Sequence, residues 1–194
     1  MKKIVFSLIL ALTTWIAQAR QTDPLSSPVL AVRIDMHGYT LPFGKGLSPK
    51  NIGVALGVQL PYNQKGTLTQ SVWVGVVNHH LSGKQAYAYT QLGVHPFPNS
   101  PVDFGFTIGL GYARAFSGSP TYQQQPDGNW QNASRHKGGL MIPVGVQLGW
   151  RGVQKGRTGF SPFVSYQFQP VLGLSEAAPI LPNTLLSIGN RFKF

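Results

Sequence analysis

Apolar and polar residues alternate with a period of two along eight stretches of this chain. The clearest stretch covers residues 102–114, where apolar residues such as Phe104 and Phe106 alternate with small or polar ones such as Gly105. Because successive side chains of an extended strand point to opposite faces, this period predicts β-strands. The other seven stretches are 29–39, 51–60, 69–80, 85–96, 138–151, 160–169 and 185–194.

Two architectures accommodate eight alternating strands: a soluble sandwich or barrel with its apolar face inside, and a membrane barrel with its apolar face outside. The face opposite the apolar one carries mainly Gly, Ala, Ser and Gln, which suits the narrow interior of a small closed barrel. The stretches are long enough for tilted transmembrane strands of roughly 9–11 residues. We therefore predict an all-β fold, an eight-stranded antiparallel up-and-down transmembrane β-barrel. Aromatic residues close several strands, as the interfacial girdles of such barrels do: Tyr112, Trp150, Phe160, Phe192 and Phe194.

The lengths of the connections support the same architecture. The longest connections cover about residues 116–137 and 170–183, whereas most of the others are compact and carry turn-forming residues. Bacterial barrels have long external loops and short periplasmic turns. With both termini in the periplasm, the two long connections are external. The third connection, HLSGKQ, is also external in this arrangement but is short, which departs mildly from the rule.

The chain begins with the pattern of a secretory signal peptide. MKKIVFSLILALTTWIAQAR combines two lysines, an apolar run and the small-x-small sequence Ala17-Gln18-Ala19. An uncleaved membrane anchor is the alternative, although the apolar run is shorter than the 20 or so residues of a spanning helix. We predict a signal peptide at 1–19, an N-terminal periplasmic segment at 20–28 and the barrel at 29–194.

Composition narrows the partners and the chemistry. Only 11% of the residues are charged, cysteine is absent and the formal net charge is +11. Without cysteine, disulfides and thiolate metal sites are excluded. The basic residues are scattered along an exported chain, so nucleic acid is a poor explanation for the positive charge.

The end of the chain carries a resemblance. In LLSIGNRFKF, Ile188, Phe192 and Phe194 alternate with Gly189, Arg191 and Lys193, although Asn190 interrupts the apolar face. With the signal peptide and the eight strands, this ending resembles small bacterial outer-membrane barrels of the eight-stranded OmpA/OmpX class, and outer-membrane barrels of Bacteroidota in particular. The resemblance implies a Gram-negative outer membrane and recognition by the barrel assembly machinery through the final Phe. It identifies a fold that hosts many functions.

Charged residues on the small-residue face are expected in the lumen. By phase they include Arg33, Asp35, His37, Asp103 and Arg151. Unpaired burial of charge is costly, so these groups are expected to pair in a structural network. A polar permeation path, and with it a narrow channel or small-ligand transporter, is the alternative.

Two sets of residues fall in the predicted external parts of the barrel. Basic residues at the strand ends and loops are candidates for contact with the phosphates of lipopolysaccharide: Lys45, Lys50, Lys84, Arg114, Arg135 and Lys137. The fifth connection contains Tyr122 and Trp130 among Gln, Asn and Ser, a composition that favours recognition of a glycan or a protein.

One motif raises an enzymatic alternative. His80-Leu81-Ser82 has the His-x-Ser spacing of outer-membrane lipid A deacylases similar to PagL, in which an imidazole activates a hydroxyl. The family's Asn after the Ser is Gly83 here, and the only glutamate of the chain is Glu176. We therefore predict a non-enzymatic barrel with a structural or surface-binding role, without cofactor or metal, and keep a lipid A-modifying enzyme as the alternative.

Overall fold

The computed structural model describes residues 28–63, 65–80, 83–116, 122–124, 128–132, 136–151, 159–173 and 179–193. The predicted signal peptide at 1–19, the segment at 20–28 apart from residue 28, and Phe194 lie outside these residues. The regular structure in the described ranges is all β. No helix in this part of the chain is long and apolar enough to cross a membrane.

Thirteen β-elements follow one another along the chain. They are β1 (Val29–Gly38), β2 (Ser48–Pro61), β3 (Leu68–His79), β4 (Gly83–Val94), β5 (Val102–Phe116), β6 (Tyr122–Gln124), β7 (Trp130–Asn132), β8 (His136–Met141), β9 (Val144–Trp150), β10 (Gly159–Phe168), β11 (Val171–Leu172), β12 (Ile180–Leu181) and β13 (Thr184–Lys193). The elements β6 and β7 form a separate small hairpin between β5 and β8.

The remaining elements make eight antiparallel strands that close into a barrel. Neighbours along the chain pair with each other, and β1 pairs with both β2 and β13, so the first and last strands close the sheet. Three of the eight strands are interrupted by two residues, one of them a proline that cannot donate to the ladder. These strands consist of β8 with β9, β10 with β11, and β12 with β13, and their breaks contain Pro143, Pro170 and Pro182. The predicted eight-stranded up-and-down barrel is confirmed.

The apolar face points outward. Ile34, Leu56 and Ile108 are exposed by 60%, 61% and 58%. On each strand, the residues that alternate with these apolar positions face the interior. The third strand, which is apolar on both faces, directs Trp73 and Val77 inward. This inside-out pattern matches a barrel surrounded by lipid, and the soluble sandwich with an apolar interior is wrong.

Glycines make room for the large side chains of the lumen. A Cβ atom at Gly57 would lie 2.5 Å from the ring of Trp73, and one at Gly75 would lie 2.5 Å from the ring of Tyr87. Such distances are far below van der Waals contact, so only glycine, which has no Cβ atom, leaves space for each ring against the neighbouring strand. Small and large inward residues thus alternate across the barrel.

Candidate functional site: the lumen and the external rim

An ion pair lies in the middle of the lumen. Arg33 Nε is 3.0 Å from Asp35 Oδ1, and both side chains are almost fully buried. The guanidinium also donates to Gln167 Oε1 at 3.2 Å and to the hydroxyl of Tyr87 at 3.3 Å. Its carbon lies 4.5 Å from the centre of the Trp73 ring, a cation–π contact. The buried charge is therefore compensated on several sides.

Gln167 connects this pair to the opposite wall. Besides Arg33, its Oε1 accepts hydrogen bonds from the Tyr89 hydroxyl at 2.9 Å and from Gln169 Nε2 at 3.0 Å. Its Nε2 donates to Gln91 Oε1 at 2.9 Å. Tyr87 in turn donates its hydroxyl to Asp35. Side chains from β1, β4 and β10 are thereby joined across the barrel.

A second ionic cluster lies at the end of the barrel that carries the chain termini. Asp103 is 2.8 Å from His95 Nδ1, 2.9 Å from Arg151 Nη2 and 2.6 Å from Arg191 Nη1. Arg191 also lies over the ring of Phe163, at 4.9 Å. Arg151 donates to the backbone carbonyl of a proline in the turn between β4 and β5, which ties this turn to the end of the neighbouring strand β9.

Amide and imidazole side chains form hydrogen bonds at the other end of the barrel, away from the chain termini. His37 Nε2 lies 3.3 Å from Asn183 Oδ1, and Asn183 Nδ2 donates to Gln85 Oε1 at 3.3 Å. Asn51 donates to the carbonyl oxygen of His37, and its Oδ1 accepts from the backbone N–H of His80 at 3.1 Å. The lumen is thus occupied at three levels by buried, hydrogen-bonded side chains.

The predicted lumen residues fall into these three groups. Arg33 contacts Asp35, Asp103 contacts Arg151, and His37 bonds to neither pair. The neutral partners, which outnumber the charges in the central group, were not among the predicted lumen residues. Their inward phase was the available signal, since Tyr87, Tyr89, Gln91 and Gln167 alternate with outward residues.

The barrel end away from the chain termini, which is predicted to be the external rim, contains exposed cations. Lys84 and Arg114 are outward residues at the ends of β4 and β5, and the register pairs Lys84 with Phe116 and Ala86 with Arg114. The two cations are therefore diagonal neighbours on one surface. Lys45, Lys50 and Lys137 are also exposed, and Arg135 lies outside the described residues. In the described ranges the acidic side chains are Asp35 and Asp103, and both face the lumen.

The loop and enzyme candidates are placed only in part. Tyr122 on β6 is 61% exposed, and Trp130 lies on β7, where its backbone pairs with Gln124. His80 Nδ1 is 2.7 Å from Asn51 Oδ1. Ser82 lies outside the described residues, so the His-x-Ser pair of His80 and Ser82 stays a prediction. Within the described ranges, no group of three or more His, Cys, Asp and Glu side chains could hold a metal ion.

The closed eight-stranded sheet and its apolar exterior give this chain the fold of the small OmpA/OmpX-like outer-membrane barrels. Among solved structures, Neisserial surface protein A has a TM-score of 0.53 at 14% identity, covering 86% of this chain and 97% of that one. Ail, the attachment invasion locus protein of Yersinia pestis, has a TM-score of 0.47 at 15% identity, covering 87% and 97%. The N-terminal β-barrel domain of Pseudomonas aeruginosa OprF has a TM-score of 0.46 at 12% identity, covering 87% and 99%.

The likeness to the Neisserial protein is one of fold, given its low identity. No protein-family model and no curated protein sequence matches the chain.

Proposed function

We propose that this protein is a poreless barrel of a Gram-negative outer membrane whose external rim binds the phosphate groups of lipopolysaccharide. The observation that carries the proposal is the pair of neighbouring outward cations, Lys84 and Arg114, on a described surface without carboxylates. A cleaved signal peptide would export the chain, and the assembly machinery would recognise its last strand. Tyr122 and its hairpin would offer a surface to a glycan or protein ligand.

The position of these cations fits a lipid headgroup. Arg114 follows Tyr112 on the outward face, beyond the apolar residues Ile108 and Leu110, and its guanidinium carbon lies 5.6 Å from the centre of the Phe116 ring. Like charges placed side by side repel each other unless an anion lies between them. Phosphate would form charge-assisted hydrogen bonds with both side chains. The rim therefore suits the phosphorylated outer leaflet of such a membrane.

Calorimetric measurement of lipopolysaccharide binding to the purified barrel tests the proposal. We expect Lys84→Gln and Arg114→Gln each to weaken binding several-fold at low salt. The matched control is Lys65→Gln, which removes an exposed charge from the turn at the opposite end. The difference in affinity between the unsubstituted barrel and these two variants should shrink near 0.5 M NaCl, where the screening length falls to only a few ångströms. An equal loss in the control, or no effect of salt, would refute the proposal.

The filled lumen argues for a structural role over transport. The Arg33–Gln167 group and the Asp103 cluster occupy the lumen at two levels, and their side chains are bonded across the barrel. An eight-stranded barrel is just wide enough for side chains to fill. We expect no single-channel conductance in planar bilayers, and discrete open events would support a channel instead.

A further inference from the structure

The connection between β1 and β2, here loop 1 (residues 39–47), bends over the outside of the barrel. Thr184 Oγ1 donates to the carbonyl oxygen of Thr40 at 2.8 Å, which holds the start of the loop against the last strand. Further along, the backbone N–H of Phe43 donates to the hydroxyl of Tyr166 at 2.7 Å, and the two rings stack at 5.4 Å. The loop therefore reaches across the last strand to β10.

Tyr166 belongs to the lipid-facing surface. It is an outward residue of β10, and the register places it between the outward residues Val146 and Leu186. Met36 and Leu186 at this level are half-buried, whereas Ile34 and Ile188 in the next outward row are exposed by 60% and 62%. Loop 1 thus lies against the apolar band and not above the barrel mouth.

The tip of loop 1 holds an apolar ring in an unfavourable backbone conformation. A hydrogen bond from Gly44 N to Leu41 O closes a turn with Pro42 in its second position. Phe43 occupies the third position with φ of 63°, where glycine or asparagine is favoured. It is the one non-glycine residue with positive φ in the described part of the chain. An observed outlier of this kind is grounds for a functional hypothesis.

Water does not account for this arrangement. Phe43 is 92% exposed and Leu41 is 64% exposed, so the turn presents apolar side chains without burying them in the protein. In hydrocarbon, by contrast, the Phe43 N–H and the Tyr166 hydroxyl would have no partners except each other. Lys45, two residues further along, is also exposed.

We propose that loop 1 is a lipid-inserted anchor: Leu41 and Phe43 enter the outer leaflet beside β10, and Lys45 meets the lipid phosphates. This inference rests on the proposed placement of the barrel in a membrane. It assigns to this loop a membrane partner in place of a soluble ligand, and it explains why the strained turn carries a phenylalanine.

Depth measurement in vesicles tests the proposal. The chain has no cysteine, so a single introduced cysteine can carry an environment-sensitive fluorophore. We would label Phe43→Cys, with Leu56→Cys in the apolar band and Tyr122→Cys on the β6–β7 hairpin as references. The barrel is reconstituted into phosphatidylcholine–phosphatidylglycerol vesicles that contain acyl-chain nitroxide lipids.

We expect quenching at position 43 to exceed that at position 122 several-fold and to approach that at position 56, which lies two outward rows deeper in the apolar band. Quenching at position 43 no greater than at position 122, with position 56 quenched, would overturn the anchor while leaving the membrane barrel intact. An unquenched label at position 56 would instead overturn the membrane placement, and the anchor with it.

A second variant tests how the loop is held. Tyr166→Phe keeps the ring but removes the acceptor of the Phe43 N–H, so quenching at position 43 should fall. The matched control is Tyr112→Phe, another outward tyrosine, which should leave that quenching unchanged. Unchanged quenching in Tyr166→Phe would show that the hydroxyl does not anchor the loop.

Discussion

The ion pair of Arg33 and Asp35 makes a sharp prediction about stability, because a guanidinium cannot lose its charge in a protein. Asp35→Asn leaves Arg33 charged and 2% exposed, with only neutral partners. Removal of one partner from a buried ion pair costs about 3–5 kcal/mol. We therefore expect Asp35→Asn to lower the free energy of unfolding by an amount in that range.

The complementary variants separate charge from packing. Arg33→Met keeps much of the side-chain volume over Trp73 and leaves a carboxyl group that can take up a proton, so it should cost less than Asp35→Asn. The double variant Arg33→Met/Asp35→Asn removes both charges. Because it leaves no buried charge unpaired, its cost should be smaller than the sum of the single costs by about 2 kcal/mol or more, within the range of coupling known for contacting residues.

These free energies are measured by urea unfolding of the barrel in lipid vesicles. The mobility of unheated samples on gels reports the folded fraction at each urea concentration. Arg114→Met is the control, since it removes an exposed rim cation and should change stability by no more than about 0.5 kcal/mol. Additive single costs, or an Arg33→Met variant less stable than Asp35→Asn, would refute the account of the central lumen as a charge-compensated group.

Three further predictions use the same assay. Gly57→Ala should destabilise the barrel by about 1–3 kcal/mol because its Cβ would lie 2.5 Å from the Trp73 ring, whereas Gly149→Ala, whose nearest contact would be 3.1 Å, should cost less. Asp103→Asn should cost about 3–5 kcal/mol, since Arg191 would stay buried without its counter-charge; a loss below about 1 kcal/mol would contradict this. The unheated barrel should migrate differently from the heated chain, and identical mobility would argue against a closed barrel.

Much of the fold could be predicted because the period of two is a local property. Alternation alone assigned Arg33, Asp35 and Asp103 to the interior and Ile188 to the exterior, and the small residues opposite the apolar face favoured a membrane barrel. The same local signal was ambiguous at Trp73, where both faces are apolar. Burial in the closed barrel resolved it, since a neighbouring glycine leaves space for the ring only inside.

The tertiary structure decided which of these residues meet. Arg33 and Gln167 are separated by 134 positions and touch only because closure and stagger bring β1 and β10 to one level of the lumen. Likewise, the sequence placed residues 41–45 in a loop, but the contact of Phe43 with Tyr166 depends on how that loop bends over the last strand. Strand number and side-chain phase follow from neighbours along the chain. Lumen contacts and loop position follow from the closed sheet, whose geometry no local pattern encodes.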